Sequence, residues 1–230
     1  MNIDWLHLLA VVVLLWFPRQ ALRLGGDLFR LSRRRPGTRD TNPAKTREAG
    51  DPAVDFGKEF TKPRNFIDLA RSLLGAEILL GGLPGLDPAI MAATNATDGT
   101  KIFVLYLTMA LFIIGVLIQS FRFEERMTMF PPIWYVAGVT FAMPGPKAAA
   151  FAFGLIWTIN LVLPNPTGFL IVYSLLVAIF GFLFNGFSDP QVYFMAGIIF
   201  LPVLVSLLSR RRLVLFNKHT RSGRSSATAT

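Results

Sequence analysis

The sequence predicts an all-α fold, a polytopic bundle of about seven transmembrane helices. The 230 residues are 53% hydrophobic and only 16% charged, and the mean hydropathy is +0.50, which is too apolar for a soluble domain of this length. When the apolar runs are counted as spans, all but two of the 23 Lys and Arg residues, Lys101 and Lys147, fall on one side of the membrane. Cytoplasmic loops carry such an excess of positive charge. We therefore expect the N-terminus outside and the C-terminus in the cytoplasm.

Residues 1–23 form the first predicted element, an uncleaved N-terminal membrane anchor. Its apolar run extends from Ile3 to Phe17 and is stopped by Pro18, with arginines following. A cleavable signal peptide would carry positive charge before its apolar core and small residues after it, whereas here Asp4 precedes the core. A helix over this run would span only about 22 Å. It must therefore extend past Pro18 or thin the bilayer.

Residues 24–68 are predicted to form a basic, largely disordered cytoplasmic loop, because they are rich in Pro, Gly, Arg and acidic residues and show no sustained hydrophobic period. Leu24, Leu28 and Leu31 recur at helical spacing, which fits a short basic helix lying on anionic lipid head groups. A plain stop-transfer cluster would explain the same pattern. The arginines expected to contact the lipid are Arg30, Arg33, Arg34 and Arg35.

The next element is the segment RSLLGAEILLGGLPGLDPAI, residues 71–90. It has to cross the membrane, because otherwise the basic loop before it and the basic C-terminal tail could not both lie in the cytoplasm. Its glycines and prolines predict that a helix beginning near Asp68 breaks or re-enters around 81–85 and resumes or ends near Ala93. Non-helical backbone at the break must be buried in protein or face water. An ionisable group in a span marks a functional site by default, so Glu77 is the candidate ion or proton site. Glu77 could instead face the interface or pair with Arg71.

The predicted membrane bundle, residues 69–208, contains five further spans. The short turns between the later ones favour antiparallel hairpins. Asn165 and Asp189 each precede a proline, as expected for an N-cap before a proline at the first helical position. Pro202 lies inside the last span and predicts a kink. The five apolar runs are Ile102 to Phe121, Phe130 to Met143, Ala148 to Leu163, Phe169 to Phe187 and Val192 to Leu208.

Residues 209–230 are predicted to form a basic cytoplasmic tail. Its first arginines, Arg210, Arg211 and Arg212, form the second expected contact with anionic lipid head groups. The net charge of +9 is also a feature of nucleic-acid-binding proteins. Because the cytoplasmic side of a membrane protein explains this charge, we expect no nucleic-acid partner.

Residue types that carry chemistry are scarce. The chain has no cysteine, which excludes disulfides, iron–sulfur clusters, thiolate catalysis and c-type haem attachment. His7 and His219 lie at opposite ends of the sequence, so a two-histidine metal or haem site within one chain is not expected. The last span has no lysine for a retinal Schiff base, and no span carries the motif of an intramembrane protease. We predict no catalytic residue, no metal and no cofactor.

Three functional hypotheses follow. The first is an integral membrane protein without a catalytic site that acts through helix packing with other membrane protein subunits, as an accessory, assembly or scaffold subunit. The second is a small transporter or channel that uses Glu77 and the broken helix around Gly81–Gly85. The third, a membrane enzyme acting on lipid at the basic interface, lacks an assignable nucleophile and base. The expected location is the inner (cytoplasmic) membrane of a bacterium.

Overall fold

The computed structural model describes residues 2–18, 60, 62–91, 97–123, 127–160, 162–163, 165–211 and 213. This part of the chain is mostly helical, with seven helices and four very short strands. The helices are α1 Trp5–Trp16, α2 Pro63–Leu80, α3 Asp98–Ser120, α4 Ile133–Ala142, α5 Pro146–Ile159, α6 Pro166–Asn185 and α7 Pro190–Leu208. The strands are β1 Asn2–Ile3, β2 Ile90–Met91, β3 Phe121–Phe123 and β4 Met127–Met129.

Three of the helices, α3, α6 and α7, are long and apolar enough to cross a membrane, with 23, 20 and 19 residues. They coincide with three of the predicted apolar runs, which confirms the prediction of a mostly helical protein with helices able to cross a membrane. The other apolar runs form the shorter helices α1, α4 and α5, of 12, 10 and 14 residues. A helix as short as α1 is only about 18 Å long, so its polar ends need partners inside the protein.

The helix starts follow from local sequence. Asn165 accepts a hydrogen bond from the N–H of Gly168 at 2.7 Å, and Asp189 accepts one from the N–H of Gln191 at 2.9 Å. A proline occupies the first turn of each of these helices. Both predicted N-caps are therefore confirmed, and Asp4 caps α1 in the same way.

The sequence left two possibilities for α1, extension past Pro18 or a thinned bilayer, and the end of the helix excludes the first. The helix ends at Trp16, and Phe17 already has an extended backbone with ψ of 118°. A residue that precedes a proline is disfavoured in the helical region because the proline ring crowds its backbone, and Pro18 follows here. Extension of this helix through Pro18 is therefore wrong.

The strand pairs mark two ends of the molecule, the β1–β2 end and the β3–β4 end. β1 and β2 pair antiparallel, with Ile3 opposite Ile90, so the start of α1 lies beside the segment that follows α2. β3 and β4 form the second antiparallel pair. Met129 of β4 bridges to Leu213, just beyond α7. α1 and α2 therefore run in opposite directions, and α3 and α7 both finish at the β3–β4 end.

The remaining helices continue this alternation. α4 starts directly after β4 at the β3–β4 end. The side-chain N–H of Asn185, the last residue of α6, donates to the carbonyl of Pro144 in the turn between α4 and α5 at 2.9 Å. The end of α6 thus lies beside that turn, away from the β3–β4 end. From α1 to α7, successive helices run in alternating directions.

α2 covers the first part of the predicted broken span. It begins at Pro63, ahead of the predicted start near Asp68, and it ends at Leu80, where Gly81 forms a left-handed cap with φ of 73°. The predicted break is present. The helix does not resume between 82 and 91, however, because this segment turns back to pair with β1.

The most extensive helix pair is α2 with α4. Every residue of α4 from Ile133 to Thr140 is buried. A Cβ added at Gly138 would lie 2.0 Å from the hydroxyl oxygen of Ser72, 2.3 Å from the carbonyl oxygen of Leu69 and 2.9 Å from the backbone nitrogen of Leu73. Only glycine allows α4 to approach the α2 backbone this closely, as at the small-residue contacts of membrane helices.

Candidate functional site

The polar face of α2 points into the bundle, whereas apolar side chains of the same helix point outward. The buried polar residues of α2 are Asn65, Asp68, Arg71 and Ser72. Its exposed apolar residues, each close to half exposed, are Phe66, Ile67 and Leu74. A helix on the surface of a soluble protein shows the opposite pattern. The reversed polarity is what an apolar surrounding favours.

Arg71 is the centre of a buried polar cluster. Its Nε and Nη2 atoms each lie 3.0 Å from Oδ1 of Asp68, one turn earlier on α2. Nη2 also donates to Oε1 of Gln119, near the end of α3, at 2.8 Å. The guanidinium carbon lies 5.6 Å from the ring centre of Tyr135 on α4, within the range of a cation–π contact. We call these four residues the Arg71 cluster.

The Arg71 cluster also stabilises the C-terminal end of α1. Nη1 of Arg71 donates to the carbonyl of Leu14 at 3.3 Å and to the carbonyl of Phe17. Nε2 of Gln119 donates to the carbonyls of Leu15 and Phe17, at 3.3 and 2.8 Å. The last four carbonyls of a helix lack partners within that helix, and leaving them unpaired in lipid is costly. The cluster therefore explains how α1 can end so early inside an apolar bundle.

Helix α3 packs closely against α1 and α4 beside the Arg71 cluster. A Cβ at Gly115 would lie 2.3 Å from the hydroxyl oxygen of Tyr135 and 3.4 Å from the carbonyl oxygen of Leu15. One turn earlier on α3, the carbonyl of Leu111 accepts a hydrogen bond from the indole N–H of Trp16 at 3.0 Å. Four helices thus converge on the Arg71 cluster.

Glu77, the candidate ion or proton site, lies apart from this cluster. Arg71 pairs with Asp68, so the alternative pairing of Glu77 with Arg71 is not formed. The carboxylate of Glu77 is partly buried and lies over Gly82, where a Cβ would come 1.8 Å from Oε2. The last turn of α2 contains no basic residue. A carboxylate at a helix C-terminus is disfavoured by the helix dipole, which a bound cation would relieve.

Arg210 and Arg211, which are predicted to contact lipid, cap the C-terminal end of α7. The N–H of Arg210 donates to Leu207 at 3.2 Å and the N–H of Arg211 donates to Ser206 at 3.0 Å, the Schellman pattern of a helix end. Arg210 is the left-handed residue of this motif, with φ of 53°. Both side chains are exposed, at the β3–β4 end. The other predicted contacts, Arg30, Arg33, Arg34, Arg35 and Arg212, lie outside the described residues.

Sequence reasoning did not identify the Arg71 cluster. The charge distribution assigns Arg71 to the edge of the cytoplasmic loop, where its side chain is expected in water. A usable signal was present, because Asp68 and Arg71 are three residues apart at the start of an apolar run and share one helix face. Among the described residues, no group of three or more His, Cys, Asp or Glu side chains could hold a metal ion.

Comparison with protein-family models, with curated proteins and with solved structures finds no match to this chain.

Proposed function

We propose that this chain is an integral membrane protein of seven spans that acts as an accessory, assembly or scaffold subunit by packing its helices against those of other membrane proteins. The Arg71 cluster is the observation that carries this proposal. A charge buried in a membrane bundle usually marks a site of transport or proton transfer. Here the guanidinium is bonded to Asp68, Gln119 and carbonyls of α1. The buried charge therefore serves the contact between helices.

The reversed polarity of α2 and the alternating helix directions support seven spans. α2 is too polar on average to be recognised as a span, yet its apolar residues Phe66, Ile67 and Leu74 are exposed, which lipid would stabilise. Arg210 and Arg211 lie at the β3–β4 end, and the excess of positive charge favours this end in the cytoplasm. In this proposal the N-terminus is outside and the membrane is a bacterial inner membrane.

An exposed face of α5 suits contact with a partner helix. Ala150, Gly154 and Thr158 lie four residues apart on this face and are exposed. A Cβ at Gly154 would have nothing within 4 Å. Beside it, the ring of Phe151 stacks on the rings of Phe180 and Phe184 of α6, with centroids 5.6 and 5.5 Å apart. Small residues let the backbones of membrane helices approach closely, and the stacked rings provide an apolar surface beside these small residues.

We expect Gly154→Leu to release the chain from its partner subunits without unfolding it. The leucine would fill the space that a partner helix needs, and nothing within the chain obstructs it. The measurement is native electrophoresis after extraction in mild detergent, where the wild-type chain should migrate within a larger complex. Gly197→Leu is the matched control, because Gly197 is another open glycine of an apolar helix, and it should leave the complex intact. A wild-type chain that migrates as a lone monomer would contradict the proposal.

A second candidate function, a small transporter or channel, is favoured by one observation at Glu77. This carboxylate lies where α2 ends and the backbone turns through Gly81 and Gly82. Secondary transporters coordinate ions with unwound backbone and the ends of broken helices. In this alternative, Glu77 and neighbouring carbonyls would bind a cation at the β1–β2 end, and the segment 81–85 would face water within the membrane.

Single cysteines in this cysteine-free chain test the topology and separate the two functions. We expect a membrane-impermeant thiol reagent to label Asp98→Cys from outside intact cells and to label Arg210→Cys only after the cells are opened, since both residues are exposed and lie at opposite ends of the bundle. Labelling of both from one side would overturn the seven-span proposal. Leu79→Cys lies at a position that is only 1% exposed inside the bundle, so it should stay unlabelled if the bundle is packed shut. Labelling of this cysteine from water would favour the transporter.

A further inference from the structure

An apolar groove runs along the outer surface between α3 and α7. Its volume is about 370 Å³, within the range of roughly 300–1,000 Å³ found for small-molecule sites. The lining residues are Ile113 of α3 and Pro190, Tyr193, Phe194, Gly197, Ile198 and Leu201 of α7. A Cβ at Gly197 would have nothing within 4 Å, so the absence of a side chain at this position helps to leave the groove open.

We infer that this groove binds one acyl chain of a phospholipid from the leaflet at the β1–β2 end. The first argument is its position. Both walls belong to helices that are long and apolar enough to cross a membrane. The side chains of Ile113 and Tyr193 are partly exposed, at 37% and 55%, so the groove opens toward the surrounding solvent, which is hydrocarbon at this depth.

The second argument is the chemistry of the lining. Tyr193 supplies the single hydroxyl among the lining side chains, and this group donates to the carbonyl of Phe187 at 2.7 Å. The hydroxyl is therefore already satisfied within the protein. A polar ligand would lose its hydrogen bonds with water on entering such a groove, whereas a hydrocarbon chain would lose none.

The third argument is length. The lining on α7 extends from Pro190, the first residue of the helix, to Leu201, which is about 16 Å along the axis. One leaflet contributes about half of a hydrocarbon core roughly 30 Å thick. A single acyl chain from the leaflet at the β1–β2 end would therefore reach the inner limit of the groove.

The test uses purified full-length protein in detergent with phosphatidylglycerol that carries a photoreactive diazirine in the middle of one acyl chain. After illumination, peptides crosslinked to lipid are identified by mass spectrometry. We expect the crosslinks to concentrate on the peptides containing Ile113 and residues 193–201. Gly197→Phe, which fills the groove, should abolish these crosslinks. Gly154→Phe places the same side chain on open, exposed α5 and should leave them unchanged.

Other outcomes would overturn the inference. Crosslinks spread evenly over all exposed apolar helices, or crosslinks that survive Gly197→Phe, would show that the groove does not select a chain. A dimer in native mass spectrometry that dissociates on Gly197→Phe, without lipid crosslinks, would assign the groove to a second copy of the protein. If Gly197→Phe fails to fold, Ile113→Trp narrows the groove from the partly exposed side of α3.

Discussion

Replacement of Arg71 by alanine is expected to lower the free energy of unfolding by about 3–5 kcal/mol, the usual cost of removing one partner from a buried ion pair. Asp68, which is 1% exposed, would lose the cation with which it pairs. The carbonyl of Leu14 would also lose its donor, and Gln119 would lose the guanidinium that orients its amide. Reversible unfolding in mixed micelles with increasing denaturing detergent measures the change.

Three variants give this prediction its controls. Arg71→Lys keeps the charge, but a single ammonium cannot reproduce the planar fork that joins Asp68, Gln119 and α1, so an intermediate loss is expected. The double variant Asp68→Leu with Arg71→Met removes both charges and should recover part of the lost stability. Arg210→Ala removes an exposed arginine and should change stability by less than about 0.5 kcal/mol. Wild-type stability of Arg71→Ala would show that the cluster does not support the bundle.

Replacement of Gly138 by leucine is expected to have the second large effect, a loss of about 3 kcal/mol, at the upper end of the usual cost of overpacking. Two of the three atoms that a Cβ would meet belong to the backbone of α2, at Leu69 and Leu73. Backbone atoms inside a helix cannot rotate away, so α4 would have to separate from α2. The same unfolding titration measures the loss, and size-exclusion chromatography reports whether any folded protein remains.

Gly154→Leu is the matched comparison for Gly138→Leu. Both positions are glycines in short apolar helices that follow each other in the chain, but a Cβ at Gly154 would have nothing within 4 Å. The unfolding titration should therefore give a near wild-type result for Gly154→Leu. Equal losses for the two variants would mean that the contact between α2 and α4 is not the cause, because the change from glycine to leucine by itself raises helix propensity at both positions.

In the proposed seven-span arrangement, the Arg71 cluster and the β1–β2 pair together explain how the short N-terminal helix α1 can lie within the membrane. At one end of α1, the N–H of Asp4 donates to the carbonyl of Ala89 at 3.0 Å, and β1 pairs with β2. At the other end, Arg71 and Gln119 supply donors to its last carbonyls. In lipid every backbone polar group must be satisfied within the protein. These contacts give the ends of α1 the hydrogen-bond partners that a longer helix would find in head groups and water.

Features set by neighbouring residues were predictable from the sequence. The helix starts at Asn165 and Asp189 depend only on the capping residue and on the proline next to it in the chain. The break at Gly81 depends on a left-handed backbone conformation that glycine adopts without strain. The end of α1 also has a local cause at Pro18, although the length needed for a span left extension past Pro18 as one of two expectations.

The candidate site was not predictable in this way. The partners of Arg71 come from residues 3, 48, 54 and 57 positions away in the chain. A charged residue at the edge of an apolar run is ordinarily expected in water, and only the packed bundle shows that Arg71 is enclosed. The start of α2 at Pro63 was missed for a related reason. Polar residues in its first turns are typical of a loop in the sequence, and only the structure shows that Asn65 and Asp68 are buried.

By itself, the sequence determines that this protein is a helical membrane protein, where its long apolar helices lie and which residues begin them. These properties depend on composition, hydropathy and neighbouring residues, which are local. Only the tertiary structure decides which face of α2 is buried, where the carbonyls at the end of α1 find donors and where a groove remains between α3 and α7. The physical reason is that a polar group within an apolar environment must be paired, and packing selects its partner from distant parts of the chain.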